Sequence, residues 1–116
     1  DCPDGSRLFA SDARVLARNV SGFSSRINES NLNGEALADM LIAHPAIEKV
    51  WYPKFTTPDQ YNAVKREGGG YGGLISFVLK SRKKSAKFFD SRKVSKGPSL
   101  GTDFTLACPY TLLAQF

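Results

Sequence analysis

Between residues 11 and 44 apolar side chains return at every third or fourth position: Leu16, Val20, Phe23 and Ile27, then Leu37, Met40 and Leu41. That spacing places them on one face of an amphipathic helix. Ser11 and Asp12 are the candidate capping residues at its start. Pro45 ends it, because a proline drives the residue before it out of the helical region. Asn31, Asn33 and Gly34 are poor helix formers in its middle, so the pattern predicts either two helices meeting there or one helix whose packing offsets their cost. Residues 47–52 read as a strand of β-branched and aromatic side chains, stopped by Pro53. Thr57 and Pro58 suit the cap and first turn of a short helix through Tyr61 and Val64. Residues 74–79, apolar apart from Ser76, predict a strand buried on both faces. A short helix over 85–90, an extended piece from Val94, a loop at 98–101 and the first turns of a helix from Tyr110 complete the order. Helices alternating with short strands imply an α+β fold in which helices cover a small sheet.

The length of 116 residues suits one compact domain. No apolar run approaches the ~20 residues of a membrane-crossing helix, so no membrane partner is expected. The chain starts at Asp1 and stops at Phe116 inside an apolar run, and we expect a fragment of a longer protein. The net charge is +5, and eight of the sixteen lysines and arginines fall between residues 80 and 96. Such a run is ordinarily a water-facing surface, although it would also suit phosphates. Cys2 and Cys108 lack metal-ligand spacing, so no metal site is expected; the two could pair, but with no leader in view unpaired thiols are the expectation. His44, placed before Pro45, fits a helix terminus better than a catalytic role. Glu35 and Asp39, four apart on one helix, read as solvent-facing carboxylates rather than an acid/base pair.

Residues 68–73, Gly-Gly-Gly-Tyr-Gly-Gly, satisfy the G-x-G-x-x-G spelling of a dinucleotide site. The order of elements opposes that reading, since the motif needs a strand before it and a helix after it. A connection with positive backbone angles feeding a strand is the expectation instead. The same stretch partly matches an RNA-recognition signature in which sheet aromatics stack on bases. Tyr71, Phe77 and the basic segment 80–96 would then form a small RNA-binding module, the alternative function. Gly69, Gly73 and Ser76 stand where that signature wants a cation and aromatics.

Four segments in order carry a more specific signal: Asn33-Gly34-Glu35-Ala36-Leu37-Ala38, the His44-Pro45 to Trp51-Tyr52-Pro53-Lys54 stretch, residues 69–77 and residues 96–106 with Ser99-Leu100-Gly101. Together they resemble the Cys/Met-metabolism family of pyridoxal-phosphate (PLP) enzymes, and within it the C-terminal region of fungal cystathionine gamma-synthases. The resemblance runs from about Leu8 to Phe116. It implies a fold type I PLP-dependent transferase, here its incomplete C-terminal small domain. Residues 1–44 would link to a PLP-binding large domain and residues 45–116 would form the small domain. The implied reaction is gamma-replacement, in which the thiol of cysteine displaces the acyl group of an O-acylhomoserine to give cystathionine in transsulfuration and methionine biosynthesis. The implied partners are those two substrates and further copies in a cytoplasmic homotetramer, with no nucleic acid. The resemblance places the cofactor-bearing lysine before the long helix and the carboxylate-binding arginine after the Ser-Leu-Gly segment. No catalytic or cofactor-binding residue is therefore expected in this chain, which would be inactive alone. What carries over is Ser99 as a substrate-binding hydroxyl, with Leu100 and Gly101 shaping its loop and Gly101 allowing close backbone approach. Thr102 and Phe104 replace the glycine and glutamate usual in the wider family and suit its fungal branch.

Overall fold

The computed structural model describes residues 8–114. Two helices open it, α1 (Ala10–Val20) and α2 (Phe23–Ala43). A break that the periodicity did not signal falls at Ser21 and Gly22, while α2 runs unbroken through Asn31, Asn33 and Gly34, the second of the two predicted alternatives. The Ser21 hydroxyl donates to the Arg18 carbonyl at 2.8 Å, and the Arg26 guanidinium reaches back to the Asn19 carbonyl at 3.1 Å. Ser11 and Asp12 lie inside α1; Phe9 is its N-cap and makes no side-chain capping bond.

Asn31 and Gly34 stay helical because they face the glycine loop. The Asn31 amide oxygen accepts the Gly72 N–H at 2.8 Å, and Gly34 is buried against the Gly72 carbonyl. A β-carbon at Gly34 would stand 2.5 Å from that oxygen. Poor intrinsic propensity is here overridden by tertiary packing. Gly34, Ala38 and Leu41 form the buried face of α2. The helix stops at His44, whose Nδ1 accepts the Ala46 N–H at 3.1 Å in the turn made by Pro45.

Strand β1 (Ile47–Trp51) pairs antiparallel with β2 (Ser76–Leu79), Val50 opposite Phe77 and Trp51 opposite Ser76. The register slips between Ile47 and Lys49, so Glu48 is an extra residue on β1. That bulge lets Ile47 and Val50, three apart, both face the core, which strict alternation forbids. In contrast to the expected strand buried on both faces, β2 alternates exposed with half-buried residues. Two helical pieces follow β1, α3 (Pro53–Thr56) and α4 (Pro58–Val64), each with proline in its first turn. Helix α5 (Arg82–Ser91) starts three residues before the predicted one and rests on β2 through the edge-to-face pair Phe77–Phe88, 6.0 Å between centroids. A parallel pair, β3 (Ser95–Lys96) and β4 (Leu106–Ala107), brackets the Ser99 loop, and α6 (Tyr110–Ala114) follows.

The core is small: Ala38, Leu41, Ile47, Val50 and Tyr52, with Phe55, Tyr71, Ile75, Phe77 and Leu79 packed around it. Helix α1 buries no residue, and Leu16, Val20 and Phe23 are each more than half exposed. The radius of gyration of 17.9 Å exceeds the ~13 Å of a compact chain of this length, as an unpacked leading helix requires.

Tyr52, 1% exposed, donates from its hydroxyl to the Gly72 carbonyl at 2.9 Å. Both backbone groups of Gly72 are thus held, one by α2 and one by the end of β1. Beside them Lys54 joins α3 to α2, with Nζ 2.7 Å from Glu35 Oε1 and 3.2 Å from Asp39 Oδ1. The two carboxylates read as solvent-facing therefore share one ammonium. Burial above all, then the Glu35 carboxylate, pushes the Tyr52 phenol above its ordinary value. The hydrogen bonds that its ammonium donates to Glu35 and then to Asp39 hold Lys54 above its own.

Replacing Gly34→Ala is expected to lower stability in urea unfolding. Overpacking against backbone costs about 3 kcal/mol at the upper end, and the gain in helix propensity returns about 1 kcal/mol. A rise in the urea midpoint would show that α2 and the glycine loop do not touch. Both pKa shifts favour the protonated form in the folded chain. Their stabilisation is complete below the ordinary values near pH 10 and vanishes as pH climbs through the raised ones. The thermal midpoint should begin to fall as pH rises past the ordinary phenol and ammonium values, less steeply in Tyr52→Phe; a fall equally steep in Tyr52→Phe would contradict this.

Candidate functional site

Pro98 and the backbone of the β3–β4 connection present Ser99 and Leu100 outward. The Ser99 hydroxyl accepts the Gly101 N–H at 3.2 Å, a side-chain turn that serine favours after proline. Thr102 closes the far side by donating to the Phe104 carbonyl at 3.0 Å. Leu100 is 84% exposed.

Ser99 and Leu100, with Pro98, line a cleft of about 190 Å³ whose other lining comes from Leu74, Ile75 and Ser76, the lead-in to β2, and from Leu106, Cys108 and Tyr110. Gly101 is not part of this lining. Its φ is not positive, and a β-carbon there would meet nothing within 4 Å. The close approach expected of Gly101 thus has no partner within the described chain. Sequence reasoning missed Ser76, Cys108 and Tyr110. Ser76 carried a signal, being the one hydroxyl in an apolar run; Cys108 and Tyr110 reach the cleft only because β4 pairs with β3, and two-residue strands leave no periodic trace.

The chemistry of the lining is neutral: aliphatic walls, three hydroxyls and one exposed thiol, with no lysine, arginine or carboxylate. A hydroxyl there can donate to or accept from a polar ligand. Nothing in the cleft can form an imine or neutralise a phosphate. Lys54, the lysine gripped by carboxylates, lies on the α2–α3 junction instead. The two groups with raised pKa values are likewise outside the cleft.

A second, more open groove of about 320 Å³ lies where residues 68–72 cross α2, lined by Asn28, Asn31, Tyr61, Lys65 and Arg66 as well as the glycines. Gly68 and Gly72 have φ of 70° and 80°, as expected for a glycine connection. Helix α4 precedes the loop and β2 follows it, the reverse of a dinucleotide site.

The RNA-binding alternative has no support. Tyr71 does not display its ring: it stacks on Tyr61 at 5.4 Å, and Lys65 Nζ sits 4.2 Å over it. Phe77 is half-buried under Phe88. Tyr71 lies in the loop before β2, and the sheet that bears Phe77 has two strands. In the basic segment Arg92 lies over Phe88 and Lys96 over Phe89, while Arg82, Lys83, Lys84 and Lys87 are exposed on α5. Among the described residues no three metal-ligating side chains cluster, and no helix is long and apolar enough to cross a membrane. Among the described residues Cys108 has no disulfide partner; Cys2 lies outside them.

The sequence profile of the Cys/Met metabolism PLP-dependent enzymes matches residues 3–111. Cystathionine gamma-synthase of Neurospora crassa is 46% identical over 106 residues, covering 90% of this chain and 17% of that protein. Cystathionine gamma-synthase of Saccharomyces cerevisiae is 37% identical over 116 residues, covering 94% of this chain and 18% of that protein. The chain thus spans less than a fifth of the length of these curated relatives. Among solved structures, O-acetylhomoserine sulfhydrylase of Wolinella succinogenes superposes with a TM-score of 0.75 at 22% identity, over 96% of this chain and 32% of that one. Cystathionine gamma synthase of Xanthomonas oryzae pv. oryzae, solved in complex with cystathionine, gives a TM-score of 0.67 at 23% identity, over 81% of this chain and 25% of that one. At those identities the two structures establish the fold, and the profile establishes the lineage. The chain belongs to the Cys/Met metabolism family of PLP-dependent enzymes.

Proposed function

We propose that this chain is the C-terminal part of a cystathionine gamma-synthase, with residues 1–44 leading from a PLP-binding large domain and residues 45–116 forming the small domain. The observation that carries the reading is the Ser99 cleft: a neutral, hydroxyl-bearing pocket on a chain that is 46% identical to the Neurospora crassa enzyme. Helix α1 supports the division of domains, since it buries no residue and its apolar side chains Leu16 and Val20 are each more than half exposed. In this reading the cysteine sulfur replaces the acyloxy group at Cγ of an O-acylhomoserine: the C–S bond of cystathionine forms, the Cγ–O bond breaks, and the acyl group leaves as its carboxylate with the thiol proton released. PLP supplies the electron sink when bound, held by residues outside this chain. The Ser99 hydroxyl donates to the substrate carboxylate, and Leu100 shields that contact from water. The parent works as a cytoplasmic homotetramer.

Two outcomes are expected. The 116-residue chain, incubated with PLP and reduced with borohydride, carries no stoichiometric label on a single lysine by mass spectrometry. The complete reading frame that contains it forms cystathionine from an O-acylhomoserine and cysteine, and Ser99→Ala raises KM for the acylhomoserine about tenfold or more, as loss of a hydrogen bond to a charged group requires. A product formed from sulfide but not from cysteine would overturn the substrate assignment, and an unchanged KM would overturn the role of Ser99.

A further inference from the structure

The glycine loop ends where the cleft begins. Gly72 gives its N–H to Asn31 at 2.8 Å and receives the Tyr52 hydroxyl on its carbonyl at 2.9 Å. Gly73 lies against the Ser30 hydroxyl so closely that a β-carbon there would collide with it. Two residues beyond Gly72 stand Leu74, then Ile75 and Ser76, which line the cleft with Ser99. A chain advances at most ~3.5 Å per residue, so a shift at Gly72 has two residues in which to dissipate before it reaches the cleft. Gly72 sits at φ 80°, a conformation that glycine also readily leaves, so the residue does not fix itself. Its position is imposed from outside, by α2 through Asn31 and by β1 through Tyr52.

Of these two anchors Tyr52 is also a core side chain, whereas Asn31 is half-buried and belongs to no core cluster. Its amide oxygen takes the Gly72 N–H, and its side chain packs on Gly70. Interior polar side chains of helices mostly point to solvent or bond to their own helix; this one reaches a backbone group 41 residues away. We propose that Asn31 is a positioning residue for the Ser99 cleft: by fixing Gly72 it sets where Leu74, Ile75 and Ser76 stand opposite Ser99. The catalytic relevance of that placement rests on the substrate reading of Ser99, but the placement itself is independent of any ligand.

The test uses the isotope-labelled 116-residue chain with Cys2→Ser, which leaves Cys108 as the sole thiol. Asn31→Ala should move the amide resonances of residues 74–76 and 99–101 and change the alkylation rate of Cys108 by iodoacetamide about threefold or more, as expected when a local restraint is lost. Asn31→Asp keeps the oxygen acceptor and should return both readouts to their original values. Ile47→Val weakens the core without touching the loop and should leave both unchanged. The proposal is overturned if Asn31→Ala moves only residues 70–73, or if Ile47→Val moves the cleft resonances equally. Should Asn31→Ala not fold, Asn31→Ser, which is too short to reach Gly72, carries the same comparison. Because no substrate enters these measurements, their failure is separate from that of the substrate reading, which an unchanged KM in Ser99→Ala would reveal.

Discussion

The structure depends on one backbone residue being held from two sides. Gly72 accepts from the Tyr52 hydroxyl and donates to the Asn31 side chain, and its carbonyl fits against Gly34 because no β-carbon stands there. Without that contact, α2 would meet the β1–β2 pair through Ala38 and Leu41 alone, with Lys54 bridging to Glu35 and Asp39 at the rim. A core of five buried residues gives little margin, so a buried hydroxyl and two satisfied backbone groups count for more here than in a larger domain. The aromatic cluster of Tyr52, Phe55, Tyr61 and Tyr71 assembles around the same loop, with ring centroids 5.4–6.1 Å apart.

In the proposed reading, function inherits this constraint through chain connectivity. The loop that packs on α2 runs directly into β2, and its last residues face Ser99 across a cleft with no charge of its own. A neutral pocket suits an amino-acid substrate only if its charges are met by groups from elsewhere, since unpaired charges are costly to desolvate. That is the arrangement expected where one domain supplies walls and hydroxyls and another supplies the cofactor and the cations. The basic segment 80–96 plays no part in it: two of its cations lie over phenylalanine rings at 4.9 and 5.5 Å, and the exposed ones on α5 keep that helix's outer face in water.

Elements whose boundaries are written in local chemistry were readable from the residues: Pro45 and Pro53 bracket β1, Pro58 opens α4, and the glycines stop short of β2. The break between α1 and α2 left no signal in the residues, and Asn31 and Gly34 left two outcomes open, a break or a helix held by packing, because only a segment some 40 residues away reveals them as contact residues. The bulge at Glu48 was hidden for a related reason: Ile-Glu-Lys-Val-Trp fits no simple alternation, and the slip becomes visible only against β2. Glu35 and Asp39 looked idle because their partner, Lys54, lies on another element. For the site, residue chemistry alone made Ser99 a turn-forming serine, which it is; its candidate role came from family resemblance. The rest of the cleft was not legible, since Ser76, Cys108 and Tyr110 converge only through the β3–β4 pairing.

The central claim is that Gly72, although in a glycine-rich loop, is held as firmly as the sheet it leads into. Native-state amide hydrogen exchange of the 116-residue chain measures this directly. The account predicts that the Gly72 N–H is protected to within about tenfold of the β1–β2 amides, while the open Gly68 exchanges at the rate of an unstructured glycine. A Gly72 amide that exchanges as freely as Gly68 would contradict it.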